Sequence, residues 1–224
     1  LPDVRQPAPD RAAPRGDRAG ETSTAGVKRG GRARSGRLLD LIFGAGRVAR
    51  CARQLGARAE EFEIRNGPHQ DLLKPRVLKK VFSKVKAREI CGAMLQPPCK
   101  TFSIANNASG PIRSQVFPRG LPHLTGEKLL RVRHGNEILV VVIKLARALA
   151  RAGVPFILEN PTSSYLWHDP ELRDLLEQFG VLYVTIHMSQ FGTPYRKSTR
   201  LAFVGDLPDL GVFGSPRQCQ CFGK

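Results

Sequence analysis

Residues 91–103 read CGAMLQPPCKTFS, and the rest of the chain is organised around this stretch. The apolar run at residues 90–95 has the length of a buried strand. Pro97 and Pro98 end that strand, because proline has no N–H to donate to a strand ladder. Cys99 therefore stands at the exit of the strand, where ligands and reacting groups lie in open α/β sheets. A thiol held there is a candidate nucleophile, although a lone cysteine commonly serves as a small apolar core residue.

Strand and helix patterns alternate on both sides of this stretch. The patterns predict strands at residues 38–43, 59–64, 90–95, 155–158, 181–187 and 201–204, and helices ending near 55 and at 75–87, 136–152 and 170–179. Residues 100 to about 133 are rich in glycine and proline and are predicted to be a long irregular connection. This order predicts an α/β fold with a doubly wound, mainly parallel sheet. The short link between the last two strands predicts an antiparallel pair at one edge of the sheet.

The composition predicts one folded domain with a tail at each end. The chain has 224 residues, of which 41% are hydrophobic. Residues 1–36 are a basic stretch rich in proline, glycine and arginine, which predicts disorder because little apolar surface can be buried. Residues 37–207 carry the strand and helix patterns, and residues 208–224 read as a loop-like tail.

Net charge and cysteine content indicate the class of binding partner and the redox state of the compartment. A formal net charge of +17 predicts a polyanionic partner, nucleic acid first, with a solvated basic surface as the alternative. The five cysteines are irregularly spaced, which favours a reducing, intracellular compartment. No apolar run reaches the roughly 18 residues of a membrane span, so no membrane partner is expected. Cys219 and Cys221 could be half of a zinc site, but a free tail is favoured and no metal is predicted.

The ends of the first two predicted strands suggest a nucleotide-type pocket. Residues 40–46 read DLIFGAG, and Gly44 and Gly46 would let a ligand approach the backbone at a helix N-terminus. Glu63 follows Gly46 by 17 positions. That spacing is close to the roughly 20 residues at which an acid reaches a ribose hydroxyl, with a solvated carboxylate as the alternative. Asp71 could face an adenine amino group, or could be an acid at the start of a helix.

The third and fourth strand ends carry the reacting groups. Cys99 follows the third strand, and Glu159, Asn160 and Pro161 follow the fourth. Because the carboxyl ends of parallel strands converge on one edge, a thiol and a carboxyl are expected to face each other beside a ligand that contains a ribose.

This ordered set of motifs resembles the cytosine-5 DNA methyltransferase family. The matching stretches are DLIFGAG at 40–46, QPPCKTFS at 96–103, ENP at 159–161 and GTPYRKSTRLAFVG at 192–205. The resemblance runs from Leu38 to Gly205 and is closest to divergent, phage-like or retroelement-borne members. It implies a Rossmann-like methyltransferase fold in the domain at 37–207.

The resemblance also implies a cofactor and roles for particular residues. Cys99 would attack C6 of cytosine, and Glu159 would hold N3 and the exocyclic amine. Arg200 or Lys197 would hold the carbonyl side of the base, and Asn160 would brace the loop. The partner would be DNA with a flipped cytosine, in the nucleus if the organism is eukaryotic. S-adenosylmethionine would be bound by Asp40, Phe43, Gly44, Gly46, Glu63, Asp71 and Pro97.

Two departures from the family pattern leave alternatives open. The family's target-recognition region and final helix are not visible in the 19 residues after Gly205, so the chain is expected to be a fragment. This favours a second interpretation, a catalytically inactive methyltransferase-fold module that binds nucleic acid and could be part of a mobile-element polyprotein. The presence of Cys99 and Glu159 favours the enzyme. A Rossmann-like oxidoreductase is a third interpretation, but it has no use for the Pro-Pro-Cys stretch.

Overall fold

The computed structural model describes residues 36–42, 47–194 and 197–206. Residues 1–35 of the predicted N-terminal tail and the whole predicted tail at 208–224, with Cys219 and Cys221, lie outside the described residues. So do Phe43, Gly44 and Gly46 of the glycine-containing loop. The three-part division of the chain therefore stays a prediction.

Ten regular elements build the described domain, and they alternate as the sequence predicts. The strands are β1 (Arg37–Leu41), β2 (Arg58–Phe62), β3 (Ile90–Leu95), β4 (Phe156–Pro161), β5 (Leu182–His187) and β6 (Ser198–Val204). The helices are α1 (Arg47–Gln54), α2 (Pro75–Lys86), α3 (Gly126–Arg151) and α4 (Pro170–Gln178).

The six strands form one sheet in the order β2-β1-β3-β4-β6-β5. Strands β1 to β4 pair in parallel, and β6 pairs antiparallel with both β4 and β5. The order reverses between β1 and β3, which is the switch point at which ligands bind in doubly wound sheets. The predicted fold class is confirmed, including the antiparallel pair that closes one edge.

The helices cover both faces of the sheet. Helix α3 contacts both α2 and α4, whereas α1 packs on β1 and β2. Right-handed crossovers place α2, α3 and α4 on one face and α1 on the other. The core between the sheet and α3 is apolar and fully buried; it includes Leu39, Leu95, Leu145, Leu149 and Leu158. In the described part of the chain, no helix is both long enough and apolar enough to cross a membrane.

Helix α3 begins earlier than the sequence pattern predicts. The prediction placed its start near residue 136 and an irregular connection before it, whereas the helix begins at Gly126. The added turns are stabilised by a small cluster in which Val132 packs against Ile112 and Leu124, all buried. Those contacts come from the preceding loop, so the local apolar spacing gives no sign of them.

Strand β4 is longer than predicted, and the extra length places Glu159 and Asn160 inside the strand rather than after it. The prediction ended the strand at Leu158, but β6 pairs with β4 as far as Pro161. Glu159 and Asn160 therefore lie inside a strand, where successive side chains point to opposite faces of the sheet. The two residues cannot act on the same side of the sheet.

Candidate active site

The predicted nucleophile lies at the carboxyl edge of β3, beside β4. Leu95 and Leu158 are partners in the parallel β3–β4 pair, so the residues that follow them leave the core at the same level. Cys99 begins a single 3₁₀ turn and is half-buried. Its carbonyl accepts hydrogen bonds from the backbone N–H groups of Phe102, at 2.9 Å, and Ser103, at 2.8 Å. The chain is thus folded tightly around the thiol-bearing residue.

Asn160 ties the end of β4 to the loop that carries Cys99. Its side chain is fully buried, and its Nδ2 donates a hydrogen bond to the carbonyl of Pro97 at 2.9 Å. A buried amide–carbonyl bond of this kind fixes the loop, because breaking it would leave a desolvated donor and acceptor. This is the bracing contact expected of Asn160. Pro97, predicted to bind the cofactor, gives its carbonyl to this bond, and Pro98 rather than Pro97 lines the cavity beside the loop.

Glu159 lies on the opposite face from Asn160 and is paired with Lys197. The Lys197 Nζ lies 3.7 Å from Glu159 Oε1, and the Glu159 side chain is 19% exposed. Burial raises the pKa of Glu159 above its ordinary value, and the Lys197 cation partly offsets that rise. The carboxyl is therefore protonated over a wider pH range than a surface glutamate.

The register of β6 separates the two predicted basic residues. Arg200 is opposite Asn160, and Leu201 is opposite Glu159. Directly opposed residues of an antiparallel pair share a face, so Arg200 projects away from Glu159. The structure brings Lys197 to Glu159 and does not bring Arg200 there.

Arg200 lies instead between two aromatic rings on the other face of the sheet. Its guanidinium carbon is 5.5 Å from the Trp167 ring and 5.6 Å from the Tyr183 ring. The Trp167 indole N–H donates to the Pro161 carbonyl at 2.8 Å. This cation–π arrangement holds the segment after β4 against the sheet.

The two predicted ribose- and adenine-binding acids line one cavity beside the nucleophile loop. A cavity of about 180 Å³ is bordered by Glu63, Asp71 and Pro98, with apolar walls that include Ile42 and Ile138. Among the described residues, Glu63 and Asp71 each accept one backbone hydrogen bond, from Arg65 at 3.2 Å and Leu73 at 2.9 Å. Both bonds use a single carboxylate oxygen, so the second oxygen of each acid can accept from a ligand. Apolar walls with two carboxylates suit a nucleoside.

Asp40 does not line this cavity. It is fully buried on β1, and its Oδ2 accepts a hydrogen bond from the backbone N–H of Ala49 at 2.9 Å. Burial raises the pKa of Asp40 to about 6, against the opposing effect of that hydrogen bond. Asp40 thus anchors α1 to β1.

The sequence-based reasoning missed a group of residues that hold the nucleophile turn in place. Arg113 is fully buried, and its guanidinium carbon lies 3.9 Å from the centre of the Phe102 ring. It also hydrogen-bonds to Thr101, next to Phe102, and to Asn136 on α3. Burial lowers the pKa of Arg113 to about 10, so it remains charged at neutral pH. An arginine in a loop rich in glycine and proline reads as a solvated surface charge, so no local signal identifies it.

No known family model matches the chain, and no curated protein matches it. Solved structures do match. The S. pombe Dnmt2 methyltransferase has 15% sequence identity and a TM-score of 0.46, with 84% of this chain and 57% of that chain covered. The Entamoeba histolytica methyltransferase EhMeth has 11% identity and a TM-score of 0.43, with 78% of this chain and 54% of that chain covered.

Both neighbours are methyltransferases, the class of protein that the sequence motifs resemble. The chain spans a little over half the length of each. The fold itself rests on the strand order described above. Among the described residues, no group of three or more histidine, cysteine or acidic side chains is arranged to hold a metal ion.

Replacing Asp40 by asparagine should stabilise the protein at high pH. The pKa of about 6 lies above the ordinary value of 3.8, so the protonated carboxyl favours the fold, and that contribution is lost as the pH rises through about 6. The difference corresponds to roughly 3 kcal/mol above pH 6. Asp40→Asn keeps an oxygen for the Ala49 N–H and should raise the free energy of unfolding at pH 8 but not at pH 4. Urea denaturation at both pH values measures this.

The exposed acid Asp174 on α4 offers a control for this experiment. Asp174→Asn should change the free energy of unfolding little at either pH. An Asp40→Asn effect of the same size at pH 4 and pH 8 would contradict the assignment.

Replacing Lys197 by methionine should raise the pKa of Glu159 further. The Lys197 cation is what lowers this pKa against the larger effect of burial, so its removal leaves burial unopposed. The pKa can be followed by ¹³C NMR of the Glu159 carboxyl carbon, assigned with Glu159→Gln. The exposed Lys144 on α3 gives a matched control, since Lys144→Met should leave the Glu159 titration unchanged. An unchanged or lowered pKa in Lys197→Met would show that the pair is not formed.

Proposed function

We propose that this chain transfers a methyl group from S-adenosylmethionine to C5 of cytosine in DNA, through a covalent bond between Cys99 and the base. The observation that carries the proposal is that Cys99 follows β3 and Glu159 lies in β4, and that these two strands pair in parallel. The Asn160–Pro97 hydrogen bond fixes one against the other. A candidate nucleophile and a half-buried carboxyl at one sheet edge, beside a cavity lined by apolar walls and two carboxylates, are the parts this reaction requires.

The chemistry assigned to Cys99 follows from the electronic structure of cytosine. C5 is not nucleophilic until a thiolate adds to C6, which forms a carbon–sulfur bond and moves electron density to C5. Bound S-adenosylmethionine would supply an electrophilic methyl group to C5, and its sulfur would leave as the thioether of S-adenosylhomocysteine. Loss of the C5 proton then allows the carbon–sulfur bond to break, which returns Cys99 as a thiolate and leaves 5-methylcytosine.

Glu159 and Lys197 stabilise the ring as the thiolate adds. The raised pKa of Glu159 keeps a proton available to donate to N3 of the base, where negative charge develops. Lys197, 3.7 Å from the Glu159 carboxyl, places a positive charge on the same side for the carbonyl oxygen of the base. Arg200, on the other face, takes no part in this arrangement.

The cavity beside Pro98 holds the nucleoside part of S-adenosylmethionine in this proposal. Glu63 accepts from the ribose hydroxyls, and Asp71 accepts from the adenine amino group. The apolar walls, including Ile42 and Ile138, pack against the adenine ring. The resemblance assigns Phe43, Gly44 and Gly46, which lie outside the described residues, to the binding of the same cofactor.

DNA is the proposed polymer substrate. The net charge of +17 supplies the attraction to phosphates, and binding should weaken steeply with salt. The cytosine must leave the duplex to reach Cys99, because C6 is not accessible to a thiol inside the base stack.

Replacing Cys99 by serine should abolish methyl transfer while leaving DNA binding intact. Serine at this position is a far weaker nucleophile, and the loss should be on the order of 10³-fold or more in the transfer rate. The product is measured as 5-methylcytosine by mass spectrometry of nucleosides from digested DNA. Cys91, a half-buried cysteine on β3, gives the control, since Cys91→Ser should retain activity.

Transfer at the wild-type rate in Cys99→Ser would end the assignment of the nucleophile. A wild-type chain that binds DNA and S-adenosylmethionine without producing 5-methylcytosine would support the inactive nucleic-acid-binding module instead.

Replacing Glu63 by glutamine should weaken S-adenosylmethionine binding. A hydrogen bond to a charged group contributes roughly 1.5–3 kcal/mol, so the Kd should rise by about 10- to 150-fold. Isothermal titration calorimetry measures this without any need for turnover. Glu61 on β2 is the matched control, because it pairs with Arg53 at 2.6 Å and lies outside the cavity. Equal affinities for wild type and Glu63→Gln would exclude Glu63 from the cofactor site.

A further inference from the structure

Arg113 is a buried cation whose hydrogen-bond partners are all neutral oxygen atoms. It is 1% exposed, and each of its five N–H groups has an acceptor. Nε donates to the Thr101 carbonyl at 3.0 Å. Nη1 donates to the Asn136 Oδ1 at 2.8 Å and to the Pro118 carbonyl. Nη2 donates to the Val132 carbonyl at 3.1 Å and to the Thr101 Oγ1 at 3.4 Å. No carboxylate of the described residues hydrogen-bonds to this guanidinium.

These acceptors join three separate parts of the fold. Thr101 belongs to the turn that begins at Cys99, Pro118 lies in the following loop, and Val132 and Asn136 lie on α3. One side chain therefore fixes the nucleophile turn to the longest helix of the domain. Burying an unpaired cation costs free energy, and filling the same space with apolar side chains would avoid that cost. The cation therefore needs an explanation beyond packing.

Gly135 makes room for this contact on α3. A Cβ built on Gly135 would clash with the Thr101 Oγ1 and would lie 2.8 Å from the Arg113 Nη2. Glycine inside a helix costs roughly 1 kcal/mol relative to alanine. The helix carries a glycine at the point where the nucleophile turn and Arg113 approach it.

Cys99 thus lies between two anchors. The Asn160 side chain holds the Pro97 carbonyl before it, and the Arg113 guanidinium holds the Thr101 carbonyl after it. Between these points the chain has little freedom, because Pro98 fixes its own φ and the Cys99 carbonyl accepts two hydrogen bonds. The conformation of the turn that carries the thiol depends on both anchors.

We propose that Arg113 is a positioning residue for Cys99: its five hydrogen bonds set the turn that presents the thiol to the base. This inference rests on the proposed function, because positioning is defined here by its effect on methyl transfer. The role calls for arginine specifically, since lysine has the charge but only three donors and no planar fork.

The test compares Arg113→Lys with wild type at saturating DNA and S-adenosylmethionine. The maximal rate of methyl transfer should fall on the order of 10²-fold, because small displacements of a reacting group have effects of this size. The KM for S-adenosylmethionine should change by no more than about twofold, since Arg113 does not line the cavity proposed for this cofactor. Leu149→Ala, a core change on the far half of α3, provides a variant that lowers Tm without touching the turn.

Hydrogen exchange gives a second readout that a general loss of stability does not reproduce. The amides of Phe102 and Ser103 donate to the Cys99 carbonyl, so they should exchange faster in Arg113→Lys than in Leu149→Ala at matched Tm. Gly135→Ala is an independent variant that leaves Arg113 in the chain. It should reproduce the fall in maximal rate, and it keeps the test valid if Arg113→Lys does not fold.

The outcomes distinguish the positioning role of Arg113 from the proposed methyl-transfer activity. If wild type transfers methyl groups and Arg113→Lys or Gly135→Ala loses no more activity than Leu149→Ala, the positioning role is overturned and the proposed function stands. If wild type transfers no methyl group, the proposed function is overturned, and the positioning role with it.

Discussion

The parallel pairing of β3 with β4 is the constraint on which the rest of the site depends. With Leu95 and Leu158 as register partners, both strands leave the core at one edge, and the residues after them are neighbours. A shift of this register by one residue would move Glu159 to the face that Asn160 now occupies. The buried Asn160–Pro97 hydrogen bond is made only in the observed register, so the bond that braces the nucleophile loop also secures the strand pairing.

The interior beside this edge holds three ionisable groups with displaced pKa values, each for the same physical reason. Burial raises the pKa of Asp40 and Glu159 and lowers that of Arg113. Asp40 fixes α1 to β1, Glu159 faces Lys197, and Arg113 fixes the turn after Cys99. Such displaced values cluster at functional sites, because those sites combine burial with specific polar partners. These three charged or ionisable side chains therefore make this edge of the sheet polar, next to an otherwise apolar core.

Local patterns were enough to predict the fold class and the position of Cys99 after a buried strand. The apolar run before Pro97, and the glycines and prolines at the ends of helices and strands, are local features that indicate both. Whether Glu159 and Arg200 lie on the same face of the sheet could not be predicted, because this depends on the register between β4 and β6, two strands distant in sequence. The early start of α3 and the burial of Arg113 were missed for a related reason. Each is stabilised by contacts from the loop between Cys99 and Gly126. Such contacts join residues that are distant in sequence, so local sequence patterns do not indicate them.

The most direct test of the account is covalent trapping on DNA that contains 5-fluorocytosine, with S-adenosylmethionine present. Fluorine at C5 cannot leave as a proton does, so the bond between Cys99 and C6 should persist after methyl transfer. The account predicts a denaturation-resistant protein–DNA adduct that requires S-adenosylmethionine and maps by mass spectrometry to the peptide containing Cys99. The absence of an adduct under conditions where DNA and S-adenosylmethionine both bind, or an adduct at Cys51 or Cys91, would contradict it.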